Sequence, residues 1–304
     1  MAKTFDLIII GGGLVGMTTA IGAAQAGLSV AVIDRQASDT TLAPAFDGRA
    51  SALAFATQRM LDALGVWQHM ADFAEPINEI RVSDGPIGRA SLMHLHFDHA
   101  QLGDGPLGYM VENRHTRIAL DKTLSETQGI TLFAPDSAVR THRTPERAAV
   151  TLASGQEISA PLLIAADGRA SQMRREAGIQ TRDFHYNQVG IVTSIALEIP
   201  HDSIAHERFL PSGPFAILPL RDNKASLVWT EKTHLADTIM GLSERAFEAE
   251  VQRRCGDFLG KVSVASGRWC YPLSLSFAET ITAERLALVG DAAQLPPVGK
   301  GQPF

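Results

Sequence analysis

Apolar and polar positions follow two different periods along the chain, and the first strong signal lies at the N-terminus. The apolar run from Phe5 to Ile10 is interrupted only by Asp6, and the segment LVGMTTAIGAAQA after it suits a closely packed helix. LSVAVID is a second apolar run of the kind that forms a buried strand. Strand, helix and strand predict a βαβ unit with a right-handed crossover, which is a Rossmann-like start.

Later segments switch between the helical and the strand period. RASALAFATQRMLDALGVWQHM and NRHTRIALDKTLSET have apolar residues at helical spacing, and APLLIAADG and RLALVGD read as further buried strands. From Pro76 onward, short alternating runs predict antiparallel strands. These runs are INEIRVSD, SLMHLHFD, VGIVTSIALEI, PFAILPL and ASLVWT.

The order of these segments predicts an α/β protein with two interleaved domains. A Rossmann-like, nucleotide-binding domain takes residues 1–75, 109–181 and 276–304. An antiparallel-sheet substrate domain takes residues 76–108 and 182–275. The chain thus leaves the first domain twice and returns to it twice.

Composition narrows the classes of function. The 304 residues are 45% apolar and carry 27 Lys+Arg against 33 Asp+Glu, for a net charge of −6. Without a basic patch, we expect no nucleic-acid partner. Cys255 and Cys270 show no disulfide or zinc spacing, which favours a reducing compartment. The short apolar start is neither a signal peptide nor a membrane span, so we expect a cytoplasmic protein, peripheral to a membrane at most.

The strongest chemical motif is GGGLVG, which follows the first strand and opens the first helix. Gly11 allows the tight turn, Gly13 lets a pyrophosphate approach the backbone N–H groups, and Gly16 permits close helix packing. Asp34 ends the second strand, where a carboxylate accepts hydrogen bonds from ribose hydroxyls. Together these residues predict a dinucleotide site.

Two other motif matches are weaker. GDGPLG, at residues 103–108, also fits GxGxxG, but it follows polar sequence and contains Pro106, so we interpret it as a loop. HLHFDH offers His94, His96 and His99 together with Asp98. Its apolar residues alternate with the polar ones, which predicts a half-buried strand with a polar face in water and no metal site.

ADGRASQMRR and LALVGDAA each place an acidic residue beside a glycine at the end of an apolar strand. In an open α/β sheet, ligands bind at the carboxyl ends of the strands. We therefore expect both segments to meet the nucleotide bound by GGGLVG.

The three motifs, in this order and strand context, resemble the signatures of flavin-dependent aromatic hydroxylases over essentially the whole chain. Further segments are most similar to the ubiquinone-biosynthesis hydroxylases within that group. They are GRASALA, ENR, YNQ, ILPLRDNKASLVWT and RLALVGDAA.

The resemblance implies roles for particular residues in binding FAD. Asp167 would help to hold the pyrophosphate region and take part in NAD(P)H use, and Asp291 would bond the ribityl chain. Arg49 and Arg114 resemble the flavin-side arginines, with Arg117 as the alternative to Arg114. The implied cofactor-binding residues are Gly11, Gly13, Gly16, Asp34, Arg49, Arg114, Asp167, Gly168, Gly290 and Asp291.

The resemblance also implies the reaction. NAD(P)H reduces FAD, and the reduced flavin activates O2 for transfer to a prenylated phenol in ubiquinone biosynthesis. No side-chain nucleophile is needed, and the apolar strands Pro214 to Leu220 and Ala225 to Thr230 would exclude water. A quinone-synthesis enzyme complex and a peripheral contact with the inner membrane are implied in the same way.

The C-terminal segment GDAAQLPPVGKGQPF ends where the family continues into a helix that faces the flavin. The resemblance therefore implies a C-terminally truncated chain with weakened FAD binding and impaired activity. Two alternatives to a hydroxylase of a prenylated phenol stay open. One is hydroxylation of another small aromatic compound, and the other is a flavin-poor subunit that binds partner hydroxylases.

Overall fold

The computed structural model describes residues 3–42, 49–87, 93–101, 103 and 105–295. The α-helices are α1 (Leu14–Gln25), α2 (Ser38–Leu42), α3 (Phe55–Ala63), α4 (Asn113–Glu126), α5 (Gln172–Glu176), α6 (Thr233–Met240) and α7 (Glu244–Cys255). The strands are β1 (Lys3–Thr4), β2 (Leu7–Ile10), β3 (Val30–Ile33), β4 (Ala50–Ala54), β5 (Glu75–Ile77), β6 (Glu79–Asp84), β7 (His94–Asp98), β8 (Gly108–Glu112), β9 (Ile130–Phe133), β10 (Ala138–Arg143), β11 (Ala148–Leu152), β12 (Glu157–Ala160), β13 (Leu162–Ala165), β14 (Thr181–Leu197), β15 (Ile204–Leu210), β16 (Gly213–Leu220), β17 (Lys224–Lys232), β18 (Val262–Val264), β19 (Trp269–Ala278), β20 (Thr282–Ala283), β21 (Leu286–Leu288) and β22 (Gln294–Leu295).

The predicted βαβ unit forms the centre of a mostly parallel sheet. Its strand order is β20-β21-β13-β2-β3-β9, and every neighbouring pair is parallel except β20 with β21. All residues of β2 and β3 are buried, which explains why both strands read as continuous apolar runs. The carboxyl ends of β21, β13, β2 and β3 therefore lie at one edge of this sheet.

This parallel sheet is covered on both faces. On one face, Leu7, Ile9 and Val32 pack with α1 and α4 residues such as Ile21 and Leu120. On the other face, β2 and β13 residues pack against Val150 and Ile158 of a smaller sheet with the order β1-β12-β11-β10. The result is a three-layer nucleotide-binding scaffold of the Rossmann kind.

The second large sheet has the strand order β22-β19-β14-β17-β16-β15-β6-β7, and β18 pairs with β14. Helices α6 and α7 cover one face, where Phe247 and Val251 pack against Phe215, Leu227 and Trp229. The alternate residues of the same strands point to the opposite face. The predicted short strands of this region are present. The prediction that they are antiparallel is wrong for β6 at one of its edges, where it pairs with β15 in parallel.

A small sheet with the order β4-β8-β5 lies between the two large sheets in sequence and in space. It corrects one prediction, because Ala50–Ala54 forms a strand where the apolar spacing predicted a helix, and α3 starts only at Phe55. Pairing with Gly108–Glu112 supplies the backbone hydrogen bonds that override the local pattern. The predicted domain boundaries near residues 75 and 108 coincide with β5 and β8 of this sheet. The division into two domains stays a prediction.

Strand β7 is also different from its prediction. It lies at the sheet edge, and its apolar side chains Leu95 and Phe97 are 61% and 50% exposed instead of half-buried. Nothing among the described residues packs over this end of the sheet closely enough to bury them. The described part of the chain contains no cluster of three or more His, Cys, Asp or Glu residues arranged for a metal ion.

Two further observations complete the fold. None of the helices in the described ranges combines the length and the apolar character that crossing a bilayer requires. The expectation about the C-terminal segment falls on residues 296–304, which lie outside the described residues, as does Gly48 of GRASALA.

Candidate cofactor site at the sheet edge

The three sequence motifs meet at one edge of the parallel sheet. They follow β2, β13 and β21, which are direct neighbours. Backbone hydrogen bonds continue past the ends of the strands and fix the three turns to one another. They run from Gly11 N to Ile33 O (2.8 Å), from Ala166 N to Ile10 O (2.8 Å) and from Val289 N to Ala165 O (2.9 Å).

The glycines of GGGLVG differ in what surrounds them. Gly11 has a φ of +107°, and a Cβ atom there would overlap the carbonyl oxygen of Ala166. A Cβ atom on Gly16 would overlap the carbonyl oxygen of Gly11. A Cβ atom on Gly13, directly before α1, would meet no protein atom within 4 Å. Gly11 and Gly16 are therefore required by the fold, whereas Gly13 leaves open space at the helix N-terminus.

Asp34 lies where its position at the end of β3 predicted. Its carboxylate accepts hydrogen bonds from the backbone N–H of Gly12 (2.6 Å) and of Gln36 (2.8 Å). A carboxylate has about four lone-pair directions, so both oxygens keep the capacity to accept from ligand hydroxyls. Asp34 thus shapes the loop and offers acceptors at the same time.

The DG motif after β13 caps a short helix. Asp167 Oδ2 accepts from the backbone N–H of Gln172 (2.8 Å) and Met173 (3.2 Å), and Ser171 Oγ accepts from Arg174 N (3.0 Å). Asp167 Oδ1 is buried and has no hydrogen-bond partner within the described protein. Gly168 adopts a φ of +79°, which turns the chain between the strand and α5.

Arg174 connects two of the motifs. Its side chain is buried, and it donates to the carbonyl oxygen of Ala292 (2.8 Å) and to that of Arg169 (2.9 Å). Ala292 belongs to the GDAA turn, and Arg169 to the DG turn. The guanidinium group therefore holds the second and third motifs in a fixed relation.

The GDAA turn packs on the start of α1. Gly290 has a φ of +57°, and a Cβ atom there would lie 3.0 Å from Val15 Cγ2. Burial within the turn raises the pKa of the Asp291 carboxyl, and the cations Arg49 and Arg169 act in the opposite direction. Arg49 also lies 5.6 Å from the ring centroid of Tyr271 on β19. Asp291 therefore lies near two cations, Arg49 and Arg169, where β19 of the large sheet approaches the motifs.

The two candidate arginines of α4 lie in different places. Arg117 lines a narrow cleft together with Gly12 and Asp34. Arg114, one turn earlier, does not line this cleft. The geometry favours Arg117 as the cation beside the dinucleotide loop.

We expect Arg117→Met to weaken FAD binding roughly 10- to 150-fold, because a charge-assisted hydrogen bond contributes about 1.5–3 kcal/mol. Arg114→Met removes the same charge from the same helix and serves as the matched control. Titration of the purified variants with FAD, followed by quenching of flavin fluorescence, measures both constants. A larger loss for Arg114→Met would assign the role to Arg114 instead.

The residues at this edge fit a flavin dinucleotide. The open space at Gly13 lies at the N-terminus of a helix, where a pyrophosphate is stabilised by free N–H groups. Asp167 Oδ1 is a buried acceptor that needs a donor, and the hydroxyls of a ribose or ribityl chain are such donors. Asp34 supplies further acceptors for hydroxyls on the other side of the loop.

Comparison with known proteins gives the same result. The family described as "FAD binding domain" matches residues 4–302. The chain belongs to this family. FAD is its cofactor.

Relatives within this FAD-binding family cover nearly the whole chain. Ubiquinone hydroxylase UbiL of Rhodospirillum rubrum is 43% identical over 304 residues, which is 99% of this chain and 70% of that protein. The 3-demethoxyubiquinol 3-hydroxylase of Escherichia coli is 34% identical over 301 residues, covering 97% of this chain and 75% of that one.

Solved structures of monooxygenases share the fold of this chain. PqsL of Pseudomonas aeruginosa, a probable FAD-dependent monooxygenase, superposes with a TM-score of 0.79 at 18% identity. The match covers 96% of this chain and 79% of PqsL. The p-nitrophenol 4-monooxygenase of Pseudomonas putida gives 0.74 at 17% identity, over 96% of this chain and 74% of that one. The predicted α/β fold is thereby confirmed.

The sequence did not single out every residue that builds the FAD site. Arg174 and Ser171 were visible as parts of the DG signature, but only the structure shows that they brace its turn. Arg169 lies near Asp291 and donates to Ser274 Oγ (2.8 Å) on β19. In the signature D-G-x-x-S-x-x-R, which runs from Asp167 to Arg174, Arg169 occupies a variable position, so no sequence signal marked it.

Proposed function

We propose that this chain is an FAD- and NAD(P)H-dependent monooxygenase that hydroxylates a prenylated phenol in ubiquinone biosynthesis. The observation that carries the proposal is the convergence of the three motifs at one sheet edge, in a chain whose relatives include ubiquinone hydroxylases. FAD, when bound, supplies the redox chemistry that takes electrons from NAD(P)H and activates O2. The protein contributes binding, orientation and the exclusion of water.

The large sheet supplies the wall for the substrate. Ala216 and Val192 are buried on the face opposite α6 and α7, and Val228 lies between them in the register of the sheet. These apolar side chains would keep water from the reacting centre. Only alternate residues of Pro214 to Leu220 and Ala225 to Thr230 can serve in this way, because the others belong to the core under α7.

The proposal is tested by NAD(P)H oxidation with FAD-loaded protein. A prenylated phenol should stimulate oxidation and yield a hydroxylated product that gains one oxygen atom from O2, as detected by mass spectrometry with ¹⁸O2. A phenol with a short side chain and an unprenylated phenol are the matched substrates. No stimulation by any phenol, in protein that retains FAD, would contradict the proposal.

The alternatives predict other outcomes of the same experiment. A hydroxylase of another small aromatic compound would respond equally to the unprenylated phenol. A flavin-poor binding subunit would be folded, would release FAD on desalting and would co-purify with other quinone-synthesis enzymes.

The proposal includes a peripheral contact with the inner membrane and an assembly with other quinone-synthesis enzymes. A prenylated substrate resides in lipid, and the exposed Leu95 and Phe97 of β7 support a contact with an apolar phase. Sedimentation with vesicles that contain anionic lipid tests the contact, and Leu95→Ser with Phe97→Ser should reduce it. Equal sedimentation of the double variant would contradict this contact.

A further inference from the structure

Strand β15 carries a carboxyl group, that of Glu207, which is not among the residues of the FAD site. Glu207 lies in the middle of Ile204–Leu210 and is only partly accessible. Within the described residues it has no hydrogen bond or ion pair, and burial alone raises the pKa of its carboxyl to about 7. A carboxyl group that is largely removed from water, with no partner among the described residues, is costly to keep, which points to a function for the group.

The side chain of Glu207 points away from the core of its sheet. Its neighbour Arg208 donates to the carbonyl oxygen of Arg254 on α7, and Leu210 belongs to the core under α7. Because side chains alternate along a strand, Glu207 lies on the opposite face, as does Ala205. Ala205 belongs to an apolar cluster that Ala50 packs against, and Ala50 directly follows Arg49. The face with Glu207 is therefore the one turned toward the FAD site.

The surroundings of Glu207 on this face are apolar. Across the sheet it lies opposite Val82 of β6 and Ala216 of β16. The charged group on the same face of β6 is Asp84, at the end of the strand and opposite Phe209. On the described part of β16 this face carries only Pro214, Ala216, Leu218 and Leu220. Arg49 lies near Tyr271 of β19, and strands β14, β17 and β16 separate β19 from β15.

We propose that Glu207 binds the phenolic hydroxyl of the substrate and accepts its proton, which orients the aromatic ring on this face of the sheet. The inference rests on the proposed function. The O–H bond of the phenol breaks, its electron pair stays on the oxygen, and the carboxylate carries the proton until it passes to solvent. No electron is transferred in this step. The phenolate is richer in electrons and therefore a better acceptor for oxygen than the neutral phenol.

The state of Glu207 then determines a pH dependence. With this pKa, the carboxyl of Glu207 is mostly protonated below about pH 7 and mostly ionised above it. Its capacity to accept a proton therefore rises as the pH increases through about 7. The free energy of unfolding, in contrast, decreases as the pH rises. The folded pKa of about 7 lies above the ordinary value of 4.5, so the stability contributed by the protonated form is lost between about pH 4.5 and 7.

The test compares Glu207→Gln and Glu207→Asp with the wild-type enzyme loaded with FAD. We expect Glu207→Gln to reduce kcat/KM for the phenol roughly hundredfold, as for loss of a general base, and to abolish the rise of activity through pH 7. Glu207→Asp should retain part of that rise. Urea unfolding as a function of pH should show that Glu207→Gln lacks the loss of stability between about pH 4.5 and 7.

Glu244→Gln, an exposed carboxyl at the start of α7 on the other side of the sheet, is the matched control and should change neither profile. An unchanged pH–activity profile in Glu207→Gln, with phenol stimulation intact, would overturn the role of Glu207 while leaving the proposed function in place. Absence of phenol stimulation in the wild-type enzyme would instead remove the proposed function itself.

Discussion

Gly16→Ala is expected to destabilise the protein by roughly 3–5 kcal/mol and to abolish retention of FAD. A Cβ atom at this position would overlap the carbonyl oxygen of Gly11, which is part of the backbone and cannot rotate away. Helix α1 would have to move away from the turn after β2. That movement would separate the N–H groups at the helix start from the DG and GDAA turns.

Gly22→Ala is the control for this prediction. Gly22 lies in the same helix, and a Cβ atom there would make an ordinary contact with Leu64 at 3.7 Å. Since alanine is favoured over glycine inside helices, this variant should gain up to about 1 kcal/mol. Urea unfolding measures both changes. Equal stability of Gly16→Ala and Gly22→Ala would show that the close approach at Gly16 does not constrain the fold.

Arg174→Met is expected to cost about 2–4 kcal/mol of stability and to weaken FAD binding at least about tenfold. The substitution keeps much of the apolar stem but leaves the carbonyl oxygens of Ala292 and Arg169 without their donor. The GDAA turn, which carries Asp291, would then no longer be fixed against the DG turn. Arg174→Lys should recover only part of the loss, because one ammonium group does not reproduce the planar fork.

Arg175→Met provides the matched control, since Arg175 is the next residue of α5 and is exposed. It should change stability by less than about 0.5 kcal/mol, as is usual at exposed positions. Unfolding in urea and fluorescence titration with FAD measure the two effects separately. A loss of FAD affinity in Arg175→Met as large as in Arg174→Met would attribute the effect to net charge instead of to the buried contact.

The parallel sheet could be predicted from the sequence because its information is local. Strands buried on both faces, such as β2 and β3, must be apolar throughout, and a loop that binds a dinucleotide needs glycine at fixed positions. These constraints act within a few residues of each other. The position of Asp34 follows from them as well, since the second strand ends there.

What could not be predicted depends on partners that are distant in the chain. Ala50–Ala54 has a helical apolar pattern, and only its pairing with Gly108–Glu112 makes it a strand. Arg174 reaches a carbonyl group 118 residues away, so its role depends on the strand order. The environment of Glu207 likewise depends on β6, which pairs with β15 in the sheet. The residues next to Glu207 in the sequence do not indicate this pairing.

The three motifs together form the proposed FAD site, and Gly13→Ala tests this assignment most directly. A Cβ atom on Gly13 meets no protein atom within 4 Å, so the variant should fold with wild-type stability, whereas the methyl group occupies the space required by the pyrophosphate. Both proteins are saturated with FAD and desalted, and their visible absorption spectra are recorded. We expect the bands of bound oxidised flavin in the wild-type protein and their loss in a folded Gly13→Ala variant. Equal retention of FAD by the two proteins, or no retention by the folded wild-type chain, would contradict it.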